Sequence, residues 1–205
     1  MFKTYLKYAS LIIGLFFSLA LTANAASVNE LFNHHGDPIA GNPNGKVTVV
    51  EFFDYQCSHC MTMAPVIKSI IKSNPEVRIV FKDFPIRGPI SNYAARAAIA
   101  ANKQNKYFDF NHELLSTNLS LSQDSILDIA KNVGLNVPKL KKEIHSAEVS
   151  NEIRSNNSLA REFKVTGTPA FFIGKTNAKN MSEVEFVLGE MTQGELQDAI
   201  DKHKK

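Results

Sequence analysis

The sequence predicts an α/β fold in which two sheet-forming segments flank a long helical block. Three observations carry this prediction: a strand, a helix and a strand follow one another over residues 47–82, helical patterning fills residues 91–164, and two strands and a helix occupy residues 170–200. A strand, a helix and a second strand in so short a span are typical of a βαβ unit with a parallel strand pair. The expected order is therefore βαβ, helical block, ββα.

The first 25 residues have the pattern of a secretory signal peptide. Lys3 and Lys7 precede a short apolar stretch at 11–21, and Ala23-Asn24-Ala25 forms a small-x-small cleavage site. The apolar stretch is shorter than the roughly 20 residues that a membrane-spanning helix needs. We therefore expect cleavage before Ala26 and export of the mature chain.

Charge and length limit the possible function classes. Cleavage would leave 180 of the 205 residues, enough for a domain with a substantial core. It would also lower the formal net charge from +3 to +1, because the removed segment holds two lysines and no acids. A charge this small argues against a nucleic-acid-binding surface.

The strands and helix of the first unit follow a polar lead-in, predicted for residues 26–45. Turn-forming residues dominate 34–38 and 41–45 there. A continuous apolar run at 47–53 predicts a buried strand, and a second strand is predicted at 77–82. Between them, apolar residues recur at the spacing of an amphipathic helix. These residues are Met63, Val66, Ile67, Ile70 and Ile71.

Five helices are predicted in the block that follows. Ser91 is the expected N-cap of an alanine-rich first helix, and Ser122 that of the third helix, which Gly134 ends. Pro138 is expected to begin the fourth helix. Apolar residues between 107 and 115 mark the second helix, and those between 149 and 163 mark the fifth.

Sheet character returns near the end of the chain. Residues 170–173 and 184–188 are predicted strands, separated by a turn-rich stretch. A closing helix is predicted from about Thr192. Its inward-facing residues are Leu196, Ala199 and Ile200.

The chain holds only two cysteines, Cys57 and Cys60, at the start of the first predicted helix. Their spacing places both thiols on one helix face, and the helix N-terminus favours a thiolate there. A disulfide that spans two residues would restrain the unfolded chain very little, so a structural role is disfavoured. We predict a redox-active pair in which Cys57 is an exposed nucleophile with a lowered pKa and Cys60 is its buried partner.

Several stretches of the sequence resemble the DsbA-type periplasmic thiol:disulfide oxidoreductases. Residues 50–60, Val-Glu-Phe-Phe-Asp-Tyr-Gln-Cys-Ser-His-Cys, are similar to the active-site stretch of that family. Residues 167–174, Gly-Thr-Pro-Ala-Phe-Phe-Ile-Gly, are similar to its second signature, and 94–101 and 106–110 to motifs of its helical insertion. The glycine- and proline-containing turns at 36–43 resemble its small Com1-like branch.

The resemblance implies a thioredoxin fold with an inserted helical domain. The thioredoxin-like part would comprise residues 46–89 and 165–205, and the insertion residues 90–164. The implied activity is the donation of disulfides to cysteine-containing exported proteins in the periplasm, with the Cys57–Cys60 disulfide in place of any cofactor. A membrane quinone-linked oxidase of the DsbB type would re-oxidise the pair. Residues 26–45 are too short for the dimerisation domain of related isomerases, which favours a monomer.

Four further residues are candidate parts of the site. An imidazolium at His59 would stabilise the Cys57 thiolate. Glu51 is an acid in an otherwise apolar strand, and the resemblance implies that it lies beneath the cysteines and assists proton transfer. Thr168-Pro169 is predicted to be a cis peptide bond beside the cysteines, with the Thr168 backbone free to pair with an extended substrate.

Two departures from the best-studied oxidases leave the direction of electron flow open. Ser58 replaces their proline, and Thr168 replaces their valine, as in many isomerase and reductase relatives. The alternative is therefore a reductase or isomerase kept reduced by a DsbD-like partner. A remoter alternative is a copper-binding chaperone that uses the thiols with Met61 and Met63. Methionines in a helix are commonly core residues, however, so no metal site is expected.

Overall fold

One mixed five-stranded sheet organises residues 28–204, the part of the chain that the computed structural model describes. The strands lie in the order β1-β3-β2-β4-β5, and only β2 and β3 run parallel. The strands are β1 (Ile39–Gly41), β2 (Val47–Phe53), β3 (Val77–Asp83), β4 (Ala170–Lys175) and β5 (Val184–Leu188).

Most of the helices lie between β3 and β4 in the chain. The α-helices are α1 (Ser58–Ser73), α2 (Pro89–Asn102), α3 (Tyr107–Ser116), α4 (Gln123–Asn132), α5 (Val137–Glu143), α6 (Ala147–Glu162) and α7 (Gln193–Lys202), and residues 28–33 are also helical. The predicted order of βαβ, helical block and ββα is confirmed.

Both faces of the central strands are buried, which explains their continuous apolar runs. Val49 and Phe53 of β2 join a core with α1 and the helices of the block. Val50 and Phe52 point to the opposite face and join a second core with residues 28–33 and the end of α6. The alternation follows from the two-residue period of a strand. The sheet thus lies between two packed layers, and α1, which follows β2, belongs to the first of them.

Helix ends in the block were predicted with mixed success. Ser122 caps α4 in a reciprocal capping box, and Gly134 follows that helix with a φ of +82°, as expected. Ser91, however, is not an N-cap: Gly88 is, and Pro89 lies in the first turn of α2. The prediction was wrong because proline suits the first helical position, and it starts the helix before Ser91.

The lead-in contributes more structure than the turn residues predicted there. Residues 28–33 are helical and bury Val28, Leu31 and Phe32, and β1 pairs antiparallel with β3. A strand of three residues is too short for a visible alternation of apolar and polar positions, so the sequence pattern missed it.

No helix within residues 28–204 is long and apolar enough to cross a membrane. The predicted signal peptide, residues 1–25, lies outside the described residues.

Candidate active site

Cys57 is the N-cap of α1, and Cys60 lies in the first turn of that helix. The extended backbone of Cys57 (φ −88°, ψ 116°) changes into the helix there, and the backbone N–H of Cys57 donates to the carbonyl of Asp54 at 3.1 Å. Both cysteines are free thiols. Both are also fully buried, which contradicts the predicted exposure of Cys57. Cys57 is covered because the Thr168 loop and Arg87 close over its sulfur.

The surroundings of Cys57 favour its ionised form. Arg87 Nη2 lies 3.9 Å from Sγ as a donor, whereas the neutral thiol itself donates to the Thr168 carbonyl at 3.2 Å, a bond that the thiolate cannot make. Burial opposes ionisation, but hydrogen bonding with Cys60 and the positive charge of Arg87 act against it, and the pKa of the Cys57 thiol is lowered. A lowered pKa at this position agrees with the prediction for the nucleophile.

The pKa of the Cys60 thiol is shifted in the opposite direction. Burial raises the pKa of the Cys60 thiol well above its usual range, and the negative charges of Glu51 and of an ionised Cys57 raise it further. The two thiols of one motif therefore differ in acidity, and the reduced pair carries its charge on Cys57.

Glu51 lies in β2, opposite Phe81 of β3 and Phe171 of β4. The Glu51 side chain is fully buried and does not face solvent. Burial, assisted by the charges of Asp83 and Cys57, raises the pKa of Glu51 to about 8. Glu51 interacts electrostatically with both cysteines, while its role in proton transfer stays a prediction.

A second buried acid, Asp83, lies at the end of β3 on the same face as Glu51. Tyr107 donates its hydroxyl proton to Asp83 Oδ2 at 2.7 Å, and Asn111 donates to the Tyr55 hydroxyl at 3.1 Å. Burial raises the pKa of Asp83 to about 7. Asp83 was not among the residues predicted for the site, although an acid directly after an apolar strand was a visible signal.

Thr168-Pro169 is a cis peptide bond, as predicted. The loop that contains it precedes β4, and its position is fixed by the backbone N–H of Gly189, which donates to the Pro169 carbonyl at 2.8 Å. Because the Thr168 carbonyl accepts from the Cys57 thiol, the loop contacts the candidate nucleophile directly.

His59 points away from the core. Its ring Nδ1 lies 3.0 Å from Glu190 Oε2, and the two side chains are 61% and 47% exposed. Arg87 supplies a positive charge that acts on Cys57. The proposed influence of His59 on the thiolate therefore stays a prediction, and the ion pair with Glu190 is expected to weaken it.

Replacing His59 with alanine is expected to have a small effect. Solvent screens an exposed ion pair, so the equilibrium constant with glutathione should shift toward the oxidised protein by less than about threefold. Titration in glutathione buffers measures the shift, with Glu190→Gln as the matched variant, which should shift it the other way. A tenfold effect of His59→Ala would show that His59 acts directly on Cys57.

Comparison with known proteins identifies the family. A model of the DSBA-like thioredoxin domain matches residues 48–201. The chain belongs to the DSBA-like thioredoxin family. It is therefore a thiol–disulfide oxidoreductase with a thioredoxin fold, as the motifs predicted.

Individual proteins that are similar to this DSBA-like protein support the same family assignment. A probable disulfide bond formation protein D of Bacillus anthracis is 27% identical over 190 residues, which cover 86% of this chain and 82% of the relative. The structure is similar to a thioredoxin-like oxidoreductase from Silicibacter pomeroyi DSS-3, with 37% identity, a TM-score of 0.77 and coverage of 85% and 95% of the two chains. The thiol-disulfide exchange protein alpha-DsbA2 from Wolbachia pipientis gives 29% identity, a TM-score of 0.76 and coverage of 90% and 97%.

Asp54 connects the cysteine loop of this DSBA-like protein to a second loop, residues 84–88. Its carboxylate accepts hydrogen bonds from Ser91 Oγ at 2.7 Å and from the backbone N–H groups of Gln56 at 2.7 Å, Ile86 at 2.7 Å and Arg87 at 2.9 Å. Neither Asp54 nor Arg87 was predicted from the sequence to have a role in the site. Asp54 directly follows a strand, which was a usable signal, whereas Arg87 is 30 residues from Cys57 and gave none.

The copper-chaperone alternative finds little support in the position of Met63. That side chain is fully buried in the core, and its sulfur accepts a hydrogen bond from the Met191 backbone N–H at 3.2 Å. Within residues 28–204, no group of three or more histidine, cysteine or acidic side chains could hold a metal ion. The buried sulfur would have to leave the core to serve as a ligand.

Proposed function

We propose that this DSBA-like oxidoreductase is an exported oxidase that introduces disulfides into proteins through Cys57 and Cys60. The supporting observation is the contrast in acidity between the two thiols, since the pKa of Cys57 is lowered and that of Cys60 is raised. Stabilising the Cys57 thiolate stabilises the reduced pair, and this makes the disulfide form a stronger oxidant.

The cycle begins with the Cys57–Cys60 disulfide. A substrate thiolate attacks Cys57 Sγ and forms a mixed disulfide, while Cys60 leaves and takes up a proton, for which the nearby Glu51 carboxyl is the candidate donor. A second substrate thiolate attacks the substrate sulfur and releases Cys57 as a thiolate. Two electrons pass from the substrate thiols to the cysteine pair, and the substrate gains one disulfide.

The substrate would lie against the loop that contains Thr168 and Pro169. An extended segment can pair with the Thr168 backbone, which brings its cysteine to Cys57. No prosthetic group takes part in the proposed cycle, because the cysteine pair itself stores the two electrons.

Names of similar proteins support export and oxidation. One relative is called a probable disulfide bond formation protein, and a structure with 25% identity and a TM-score of 0.74 is described as a periplasmic thioredoxin-like protein from Salmonella enterica serovar Typhimurium. We therefore propose a periplasmic location, exported proteins with cysteines as substrates, and a quinone-linked DsbB-type protein as the re-oxidant.

The direction of electron flow is tested by the redox potential and by the redox state in cells. We expect a potential closer to about −120 mV than to about −270 mV, the values for a strong oxidase and a strong reductase. We also expect the pair to be mostly oxidised when its thiols are trapped in cells. A strongly negative potential together with a reduced pair would favour the reductase or isomerase alternative with a DsbD-like partner.

A further inference from the structure

The loop at residues 84–88 brings a positive charge to the candidate nucleophile. Arg87 Nη2 is positioned as a donor 3.9 Å from Cys57 Sγ, and the Arg87 side chain is otherwise exposed. The positive charge of Arg87 and the negative charge of Glu51 both interact electrostatically with Cys57. A guanidinium is charged at every pH at which the enzyme could work.

The position of Arg87 is fixed through its backbone. Asp54 Oδ2 accepts from the N–H groups of both Ile86 and Arg87, while Oδ1 accepts from Gln56 N–H and the Ser91 hydroxyl. Asp54 is buried, so these four charge-assisted bonds form where they are strong. They tie the loop that carries Arg87 to the segment that leads into Cys57.

We infer that Arg87 is a catalytic residue that stabilises the Cys57 thiolate, and that Asp54 is the positioning residue that holds Arg87 in place. The inference rests on the proposed thiol chemistry of Cys57 and not on the direction in which the pair works. Arg87 would act when Cys57 is released as a thiolate at the end of substrate oxidation. In the disulfide form the sulfur carries no charge, so Arg87 favours the reduced state.

Arg87→Met tests the charge while it keeps most of the side-chain length. Loss of the charge-assisted contact should shift the equilibrium with glutathione toward the oxidised protein by about three- to tenfold, a moderate effect because the guanidinium is exposed to solvent and salt. The thiolate titration of Cys57, followed by ultraviolet absorbance, should move to higher pH. Arg87→Lys should retain part of the effect, and the difference from wild type should shrink at high ionic strength.

Two controls test whether the shift in the Cys57 titration comes from the position of Arg87 or from any loss of positive charge. Lys141→Met removes the same charge from an exposed position on α5 and should leave the titration unchanged. Asp54→Asn should shift the titration in the same direction as Arg87→Met, and the double variant should shift it no further than the larger single change. If Asp54→Asn fails to fold, the two Arg87 variants and the salt dependence still test whether Arg87 stabilises the Cys57 thiolate.

An unchanged thiolate titration in Arg87→Met would overturn the inference, as would an equal shift in Lys141→Met. A protein that proves to be reduced in cells would instead contradict the oxidase proposal, and the Arg87 effect on the titration would remain. The two failures are therefore distinguishable.

Discussion

Replacing Lys82 with methionine should lower the free energy of unfolding by about 3–5 kcal/mol, the usual cost of removing one partner of a buried ion pair. Lys82 Nζ donates to both carboxylate oxygens of Asp37, each at 2.7 Å, and the two side chains are 0% and 1% exposed. Methionine would leave Asp37 buried without its cation, so the carboxyl would be an unpaired charge or would have to take up a proton, because burial raises its pKa to about 7 even beside Lys82. Urea unfolding of the reduced protein at constant pH measures the loss.

The double variant Asp37→Leu, Lys82→Met separates two contributions to the free energy of unfolding. One is the destabilisation caused by an unpaired buried charge, and the other is the net stabilisation that the intact ion pair contributes. Replacing a buried ion pair with apolar residues of similar size is often neutral, so the double variant should be more stable than Lys82→Met alone. Lys106→Met serves as a control, because Lys106 and Asp109 form an exposed pair worth about 1 kcal/mol or less. If Lys82→Met were no more costly than this control, Asp37 would not be a buried carboxylate.

The ion pair also illustrates what sequence patterns cannot show. Lys82 ends the predicted strand 77–82, and Asp37 lies among turn residues 45 positions earlier, so neither gave a signal of pairing. Their contact depends on β1, whose pairing with β3 brings the lead-in alongside the sheet. Contacts of this kind follow from tertiary packing, which local propensity and periodicity do not encode.

The features that the sequence did predict are local or motif-based. The apolar runs of β2 and β3 and the start of α1 follow from residues close together in the chain, and the cysteine pair and the Thr168-Pro169 signature are short motifs. The exposure of Cys57 was mispredicted because Arg87 and the Thr168 loop, which cover it, come from distant segments. Ser91 was misassigned as an N-cap because Pro89 starts α2 before it, and the Ser91 hydroxyl binds Asp54 instead.

Replacing Glu51 with glutamine should make stability less dependent on pH. The pKa of Glu51 is raised from 4.5 to about 8 in the folded protein. The stability contributed by its protonated form is therefore complete below about pH 4.5 and is lost as the pH rises through about 8. Glutamine does not ionise, so at pH 8 the reduced variant should exceed wild type by on the order of a few kcal/mol relative to their difference at pH 5. Urea unfolding at several pH values measures this.

The redox state provides the control for this prediction. An ionised Cys57 helps to raise the pKa of Glu51, and the disulfide form lacks that charge. The pH-dependent difference between Glu51→Gln and wild type should therefore be smaller in the oxidised protein. Asp83 remains in both proteins, and because its charge acts on Glu51, the comparison reports the titration of Glu51 together with its interaction with Asp83. A difference that stays constant from pH 5 to 8 would mean that Glu51 is ionised throughout.

The same variant tests the role of Glu51 in proton transfer. If the carboxyl supplies the proton that Cys60 takes up, Glu51→Gln should slow the exchange step by about 100-fold, the lower end of the usual effect of general acid–base catalysis. Stopped-flow measurement of the rate against pH should also lose the inflection that reflects the pKa of Glu51, which lies below about 8 in the disulfide form because the charge of Cys57 is absent there. An unchanged rate profile, combined with the expected stability effect, would leave Glu51 as a buried acid without a catalytic role.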